Sequence, residues 1–230
     1  MSITTIIEYF PQMLDGAWLS LQITGLSLFL GFLLAIPISL MRLSHLAALR
    51  LPAQLYMFYF RGTPLLVQLF LIYYGSGQFR HELAQLGLWT FFRDAWFCAV
   101  FALTLNACAY TAEIFRGAIL SVPKGDIQAG KAFGMSGLLL FRRIIFPKAL
   151  RIALPSYGNE VIFLLQASSL VSIITLMDLT GVASRLVAKT FAVYEIYILT
   201  AVIYIAITYM FVVIFKLFER MLNQHLRTDS

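Results

Sequence analysis

Long uncharged apolar stretches, separated by short charged segments, dominate the chain. Five stretches contain no charged residue, at positions 16–41, 62–79, 95–112, 161–177 and 196–215. Their lengths match the roughly 17–25 residues that a helix needs to cross hydrocarbon. They lack the strict alternation of a barrel strand, and a backbone in lipid must satisfy its own hydrogen bonds. The pattern therefore predicts transmembrane helices.

Two of these stretches extend further if one charge is tolerated, Arg61 in the second and Glu160 in the fourth. The predicted architecture is an all-α polytopic membrane protein with a single transmembrane domain over residues 1–230. Its five spans are expected at about 16–41, 52–76, 95–116, 152–177 and 194–217. A long connection over residues 117–151 joins the third span to the fourth.

Composition excludes several other classes of protein. Hydrophobic residues make up 60% of the chain and charged residues only 12%, against about 25% charged in a soluble domain. The net charge of +6 is modest and is not concentrated on one basic face, so nucleic-acid binding is not expected. Cys98 and Cys108 fall on one predicted helix about 15 Å apart, too far to form a disulfide.

The distribution of Lys and Arg predicts the orientation. Twelve of them fall on the side of the 117–151 connection and the C-terminus, four fall on the opposite side, and Arg61 lies within a span. Because cytoplasmic loops are enriched in Lys and Arg, the N-terminus is expected outside and the C-terminus in the cytoplasm.

The cytoplasmic connection keeps many large apolar residues, so it is expected to fold into two short helices. Pro123 and Asp126 are suitable helix-start residues, and Gly134 can end the first helix. A second helix around residues 139–144 is predicted to stop at Pro147. Such an elbow suits docking onto a soluble partner, or else an amphipathic helix lying on anionic lipid.

Several motifs carry a resemblance to a known family. The run Gln128-Ala129-Gly130, with Gly134 and then Ile144-Ile145-Phe146-Pro147, resembles the EAA loop of ATP-binding cassette (ABC) importer permeases. Three further stretches are similar to the polar amino acid branch of that family: Phe60-Arg61-Gly62-Thr63-Pro64, residues 105–117, and Asn159-Glu160-Val161. The resemblance covers nearly the whole chain. It points in particular to M-type subunits of importers for histidine, lysine, arginine, ornithine or opines.

The resemblance implies a type I importer permease in a bacterial inner membrane. Its expected partners are a homologous Q-type permease in a pseudo-twofold heterodimer, an ATPase dimer and a periplasmic amino acid-binding protein. ATP and Mg would be used by the ATPase, because this chain lacks G-x-x-x-x-G-K-[ST]. No cofactor or metal is expected on the chain itself, and His45, His81 and His225 are isolated.

The resemblance also assigns ATPase coupling to the elbow. The residues expected to serve it are Gln128, Ala129, Gly130, Gly134, Met135 and Ser136. Gln128 stands where the family has Glu, which removes a possible ion pair with the ATPase. Gly130 replaces an Ala, at a cost of about 1 kcal/mol in helix propensity.

Ionisable residues inside a span are costly and therefore suggest sites. Arg61 is followed by Gly62, Thr63 and Pro64, which mark a break. It is interpreted either as a gate or as a structural Arg that pairs with an acidic neighbour. Glu113 precedes Arg116 by one helical turn, so the two are expected to pair, although Glu113 is also a candidate substrate ligand.

The remaining candidate substrate ligands are polar residues of the third and fourth spans: Asn106, Asn159, Glu160, Gln166, Ser168 and Ser169. Glu160 is the strongest, since a buried carboxylate needs a cation, a proton or a partner. Many family members carry a Lys-Asp-Thr-Ser-like stretch where this chain has residues 166–169. Loss of that Lys favours a cationic substrate, and local unwinding there would free backbone N–H groups for an α-carboxylate.

Other interpretations remain open. The substrate could be another polar amino acid such as glutamine or glutamate, and the sister subunit could hold it. More remote alternatives are a channel or a membrane assembly factor. A membrane enzyme is disfavoured, because no nucleophile with a base and no cluster of carboxylates is evident.

Overall fold

The computed structural model describes the backbone of residues 3–222 and the side chains from residue 8 onward. His225 and Arg227, the latter one of the twelve basic residues counted above on the side of the C-terminus, lie outside this range. The α-helices are α1 (Ile3–Leu43), α2 (Ala47–Gly62), α3 (Leu65–Tyr73), α4 (Arg80–Gln85), α5 (Trp89–Phe92), α6 (Ala95–Leu120), α7 (Lys124–Ala132), α8 (Gly137–Leu140), α9 (Phe146–Ala167), α10 (Leu179–Thr190) and α11 (Val193–Leu222).

The predicted polytopic, all-α fold class is confirmed over residues 3–222. Four helical segments are long and apolar enough to cross a membrane: 8–43, 95–120, 137–174 and 193–222. Helix α2 and the segment that begins with α3 pass the same test only together, as a span bent by 105°. Residues 3–222 therefore contain four candidate spans, or five if the bent pair is one span.

The bend between α2 and α3 has a local cause. Pro64 carries no N–H, so it cannot continue the helix by bonding to the Phe60 carbonyl four residues earlier. The residue before a proline is also driven out of the helical region, and Thr63 is extended with φ −116° and ψ 146°. The sequence interpretation of Gly62 and Pro64 as a break therefore agrees with the structure.

The elbow folds partly as expected. Helix α7 begins after Pro123, and Gly134 follows its end with φ +79°, a conformation that glycine adopts without strain. The prediction that Pro147 ends the second helix is wrong. Helix α8 continues through a π-helical turn over Phe141–Ile145 directly into α9.

The π-helical turn explains how the chain passes Pro147. The N–H of Phe146 bonds to the carbonyl of Phe141, five residues back. This restarts the hydrogen-bond register, so Pro147 occupies the first turn of α9, where a missing N–H costs nothing. The fourth predicted span is thus the C-terminal part of a longer helical segment over residues 137–174.

Helix α6 lies at the centre of the packing and contacts α1, α2, α3 and α9. Small residues let the helices approach closely: a Cβ added at Gly31 of α1 would lie 3.0 Å from the Cβ of Ala107. Helix α11 is peripheral and buries only Ile196, Thr200 and Ile203. Its exposed apolar side chains suit contact with lipid.

Candidate functional site

The break between α2 and α3 is held by two amide side chains. The carbonyl of Phe60, which Pro64 leaves without its helical partner, accepts hydrogen bonds from Gln68 Nε2 at 2.9 Å and Asn106 Nδ2 at 3.3 Å. Gln68 Nε2 also donates to the carbonyl and hydroxyl of Thr63. Asn106 Nδ2 donates to Gln68 Oε1 at 3.0 Å. Gln68 and Asn106 are both buried, so the break is fixed rather than loose.

A cleft of about 420 Å³, named here the Glu160 cleft, opens beside this break. Its volume falls within the usual range for small-molecule sites. Glu160 is 8% exposed, and among the described residues its carboxylate has neither a hydrogen bond nor an ion pair. The other lining residues include Thr63, Pro64, Asn106, Tyr110, Phe163 and Ala167.

Asn159 does not share this cleft. It is exposed while Glu160 is buried, because adjacent residues on a helix point about 100° apart. The candidate pair is therefore split by the helix, and Glu160 alone faces Asn106 and Tyr110 across the cleft.

A second cleft of about 580 Å³, named here the Arg61 cleft, lies on the other side of the break. It is lined by Arg42, Phe58, Arg61, Gly62 and Glu113, among others. Glu113 is held by Arg116 through two bonds, Nε to Oε2 at 2.9 Å and Nη2 to Oε1 at 2.5 Å. The predicted pairing of these two residues is thus present.

Arg61 makes weaker contacts. Its Nη1 lies 3.8 Å from Glu113 Oε2, and its guanidinium carbon lies 5.4 Å from the centre of the Tyr110 ring. The structural interpretation of Arg61 as the partner of an acidic neighbour therefore agrees with the geometry.

One face of α6 connects the two clefts. Asn106, Tyr110 and Glu113 are spaced by four and then three residues, which places them on one side of the helix. The first two line the Glu160 cleft and the third lines the Arg61 cleft. Seven residues of helix separate the ends of this row by about 10 Å.

The stretch after Glu160 is helical where local unwinding was expected. Helix α9 ends at Ala167 and continues as a 3₁₀-helix over Ser168–Ile174. The hydroxyls of Ser168 and Ser169 donate to the carbonyls of Leu165 and Gln166, each at 2.7 Å. Gln166 itself is exposed and Ser168 is fully buried. The expected unwound backbone is therefore replaced by a hydrogen-bonded turn.

The candidate coupling residues of the elbow differ in solvent exposure. Gln128, Ala129, Gly134 and Ser136 are exposed and Met135 is half-buried, but Gly130 is buried. A Cβ at Gly130 would lie 2.6 Å from Leu140 Cδ1. Gly130 therefore packs inward against the next helix instead of facing outward. An ion pair between Asp126 and Lys148 ties α7 to the start of α9.

Sequence reasoning assigned no role to two kinds of residue. Gln68 follows the Phe60–Pro64 motif by four residues, and its contacts form only because the chain bends at Pro64. A polar amide at this distance after a proline, in an otherwise apolar stretch, is the signal that the sequence offers. Phe133 and Leu138 are 85% and 80% exposed on the elbow. Exposed apolar side chains at a polar turn are typical of an interaction surface.

Comparisons with known proteins identify the family. The family model described as "binding-protein-dependent transport system inner membrane component" matches residues 27–228. The nopaline transport system permease protein NocM of Agrobacterium fabrum is 47% identical, with 99% of this chain and 94% of that protein covered. The octopine permease OccM of Rhizobium radiobacter is 46% identical over 96% and 92%. The histidine/lysine/arginine/ornithine permease HisM of Salmonella typhimurium is 40% identical over 97% and 98%.

Solved structures give the same picture. A chain in the crystal structure of an amino acid ABC transporter with histidines superposes with a TM-score of 0.83 at 36% identity, covering 96% of this chain and 99% of that one. A chain of the inward-facing MetNI methionine ABC transporter superposes with a TM-score of 0.77 at 20% identity, covering 96% and 99%. The second likeness concerns the fold alone.

Proposed function

Because this chain belongs to the family of binding-protein-dependent transport system inner membrane components, we propose that it imports a cationic amino acid or an opine as the permease subunit of an ABC transporter. The single observation that carries the substrate class is the carboxylate of Glu160. It faces a cleft of about 420 Å³ and makes neither an ion pair nor a hydrogen bond among the described residues.

The chemistry of Glu160 favours a cation. A carboxylate removed from water is costly unless a positive charge or hydrogen-bond donors compensate it. A guanidinium, ammonium or imidazolium group in the Glu160 cleft would supply both. Asn106 and Tyr110 border the same cleft and add neutral polar groups, which orient a ligand without competing for its charge.

The proposed assembly follows the family. A related permease would complete the pore by a pseudo-twofold arrangement, and a periplasmic binding protein would deliver the amino acid. The energy would come from an ATPase dimer that uses ATP and Mg, while this chain carries no ATPase site of its own. The chain would lie in a bacterial inner membrane, with the N-terminus in the periplasm and the C-terminus in the cytoplasm.

The elbow would transmit ATPase movements to the pore. Helix α7 is tied to the start of α9 by the ion pair of Asp126 with Lys148, and α9 carries Glu160 about three turns further along. A displacement of α7 is therefore transmitted to α9, the helix that carries the Glu160 carboxylate. This connection supports alternating access driven from the cytoplasmic side.

The test is arginine uptake by the complete transporter. The tagged chain is purified from its native membrane with its partners and reconstituted in proteoliposomes with the binding protein. In the Glu160→Gln variant, we expect arginine transport to fall about 10- to 100-fold, because a charged hydrogen bond contributes about 1.5–3 kcal/mol. Radiolabelled arginine and glutamine uptake are both measured.

A matched control is Glu82→Gln, which neutralises an exposed carboxylate of α4 and is expected to transport like the unaltered protein. Equal loss of arginine and glutamine uptake in Glu160→Gln would contradict a role in cation recognition. Preferential uptake of glutamine or glutamate by the unaltered transporter would contradict the cationic substrate class itself.

A further inference from the structure

Arg61 lines one of the two clefts and contacts a residue that lines the other. It is the penultimate residue of α2, three residues before Pro64, and it lines the Arg61 cleft. Its guanidinium lies over the ring of Tyr110, 5.4 Å from the centroid, and that ring borders the Glu160 cleft. The side chain therefore stands across the row that leads from Asn106 to Glu113 along α6.

The contacts of Arg61 leave it free to move. Glu113 is already bound by Arg116 through two short bonds, whereas Arg61 approaches Glu113 only to 3.8 Å. The Arg61 side chain is 40% exposed. Its departure would therefore leave Glu113 paired, and the cost of breaking the contact would be that of a weak, partly solvated ion pair.

The positive charge of Arg61 acts on two carboxylates. One is Glu113, and the other is Glu160, which lies within the electrostatic reach of the same guanidinium. The Arg61 guanidinium lies over the Tyr110 ring, and Tyr110 lines the same cleft as Glu160. A cationic ligand at Glu160 and the Arg61 guanidinium thus compete for one negative charge.

The Arg61 cleft is also poor in negative charge. Its lining includes the guanidinium groups of Arg42 and Arg61 and the carboxylate of Glu113, and that carboxylate is already bound by Arg116. Two cations therefore line the cleft while its one carboxylate is already neutralised by Arg116, so a further cation in this cleft meets net repulsion. A cationic substrate is therefore expected to occupy the Arg61 cleft only weakly.

We propose that Arg61 is a tethered cation that gates movement between the two clefts and weakens binding of cationic substrates in the Arg61 cleft. It displaces a bound cation from Glu160 and repels cations that approach from the cytoplasmic side. This inference rests on the proposed function, in which Glu160 holds the cationic group of the substrate.

The experiment measures inhibition by internal substrate. Proteoliposomes containing the complete transporter are loaded with unlabelled arginine, and initial uptake of external radiolabelled arginine is recorded. In Arg61→Gln, we expect the internal arginine concentration that halves uptake to fall about tenfold, because the repelling charge is lost. Arg61→Lys keeps the charge and is expected to stay within about twofold of the unaltered protein.

Two controls separate charge from structure. Arg50→Gln removes an exposed charge of the same helix outside either cleft and is expected to leave the inhibition unchanged. Internal glutamine, which is neutral, is expected to inhibit Arg61→Gln no more than the unaltered protein. Equal sensitisation to internal arginine and glutamine, or identical inhibition curves for Arg61→Gln and Arg50→Gln, would overturn the proposal.

A second variant covers failure of Arg61→Gln to assemble with its partners. Tyr110→Leu removes the ring under the guanidinium without touching the ion pair, and we expect a shift of about threefold in the same direction. An unchanged inhibition curve would then overturn the gate. Failure of the proposed function shows separately, as arginine uptake that does not depend on Glu160.

Discussion

At the scale of single residues, the backbone carbonyl of Phe60 needs a hydrogen-bond donor from outside its own helix. Pro64 removes its helical donor, and an unsatisfied buried carbonyl is expensive. Gln68 and Asn106 donate to it from α3 and α6. The two amide side chains thereby stabilise the break that borders the Glu160 cleft. Their hydrogen bonds offset the free-energy cost of interrupting the helix.

This arrangement predicts a specific coupling between Gln68 and Pro64. Gln68→Ala alone is expected to lower the free energy of unfolding by about 1–3 kcal/mol, because the Phe60 carbonyl loses the shorter of its two hydrogen bonds and Asn106 loses an acceptor. In a Pro64→Ala background, the substituted residue has an N–H of its own to offer the Phe60 carbonyl, so Gln68→Ala is expected to cost about 1 kcal/mol less. SDS-induced unfolding in mixed micelles measures all four proteins of the cycle.

The control for this cycle is Gln78→Ala, an exposed glutamine that follows α3, whose effect is expected to be small and independent of Pro64. Additive losses for Gln68→Ala and Pro64→Ala would mean that the amide does not serve the orphaned carbonyl.

Local spacing was sufficient to predict some of these residues but not others. The pairing of Glu113 with Arg116 follows from a separation of one helical turn, and it is present. The Gln68 contacts join α3 to α2 across a 105° bend, and no periodicity in the chain specifies that angle. Asn159 was grouped with Glu160 by adjacency, yet neighbouring helix positions face different sides.

At the scale of elements, Gly130 has a packing role that the sequence does not reveal. From the sequence it is a weak helix residue in α7. In the folded protein it allows α7 to lie against Leu140 and Ile144, since an added Cβ would come within 2.6 Å and 3.3 Å of their side chains. Close packing of the two elbow helices explains the missing methyl group.

Gly130→Ala is therefore expected to destabilise the elbow despite the better helix propensity of alanine. Overpacking costs about 1–3 kcal/mol, which outweighs a gain of about 1 kcal/mol in propensity. Gly125→Ala in the same helix has nothing within 4 Å and is expected to be neutral or slightly stabilising. The thermal unfolding temperature should fall for Gly130→Ala and stay unchanged or rise slightly for Gly125→Ala, and a rise for Gly130→Ala would contradict the packing argument.

The boundaries of the elements were partly predictable. The start of α7 after Pro123 and the turn at Gly134 follow from residue types that suit those positions. The continuation through Pro147 does not, because it depends on a π-helical turn that shifts the hydrogen bonds by one residue. A proline that ends a helix and one that begins the next turn look alike in the sequence.

At the scale of the whole molecule, two exposed phenylalanines offer a matched pair. Phe133 is 85% exposed on the elbow and Phe191 is 86% exposed after α10. The charge distribution predicts that they lie on opposite sides of the membrane. The two side chains are chemically identical and equally exposed. A difference between their substitutions therefore reports on which side of the membrane the ATPase binds.

Phe133→Ala is expected to weaken capture of the ATPase about 10- to 100-fold, because an aromatic anchor in an interface commonly contributes about 2 kcal/mol or more. Phe191→Ala removes the same surface and should leave ATPase capture unchanged, since it faces the periplasm in the proposed orientation. Affinity of the purified permease pair for the ATPase in detergent, measured by biolayer interferometry, distinguishes the two. Equal losses would indicate a general effect of removing exposed phenylalanine. A loss confined to Phe191→Ala would reverse the assignment of the two faces, and with it the direction of transport proposed for this chain.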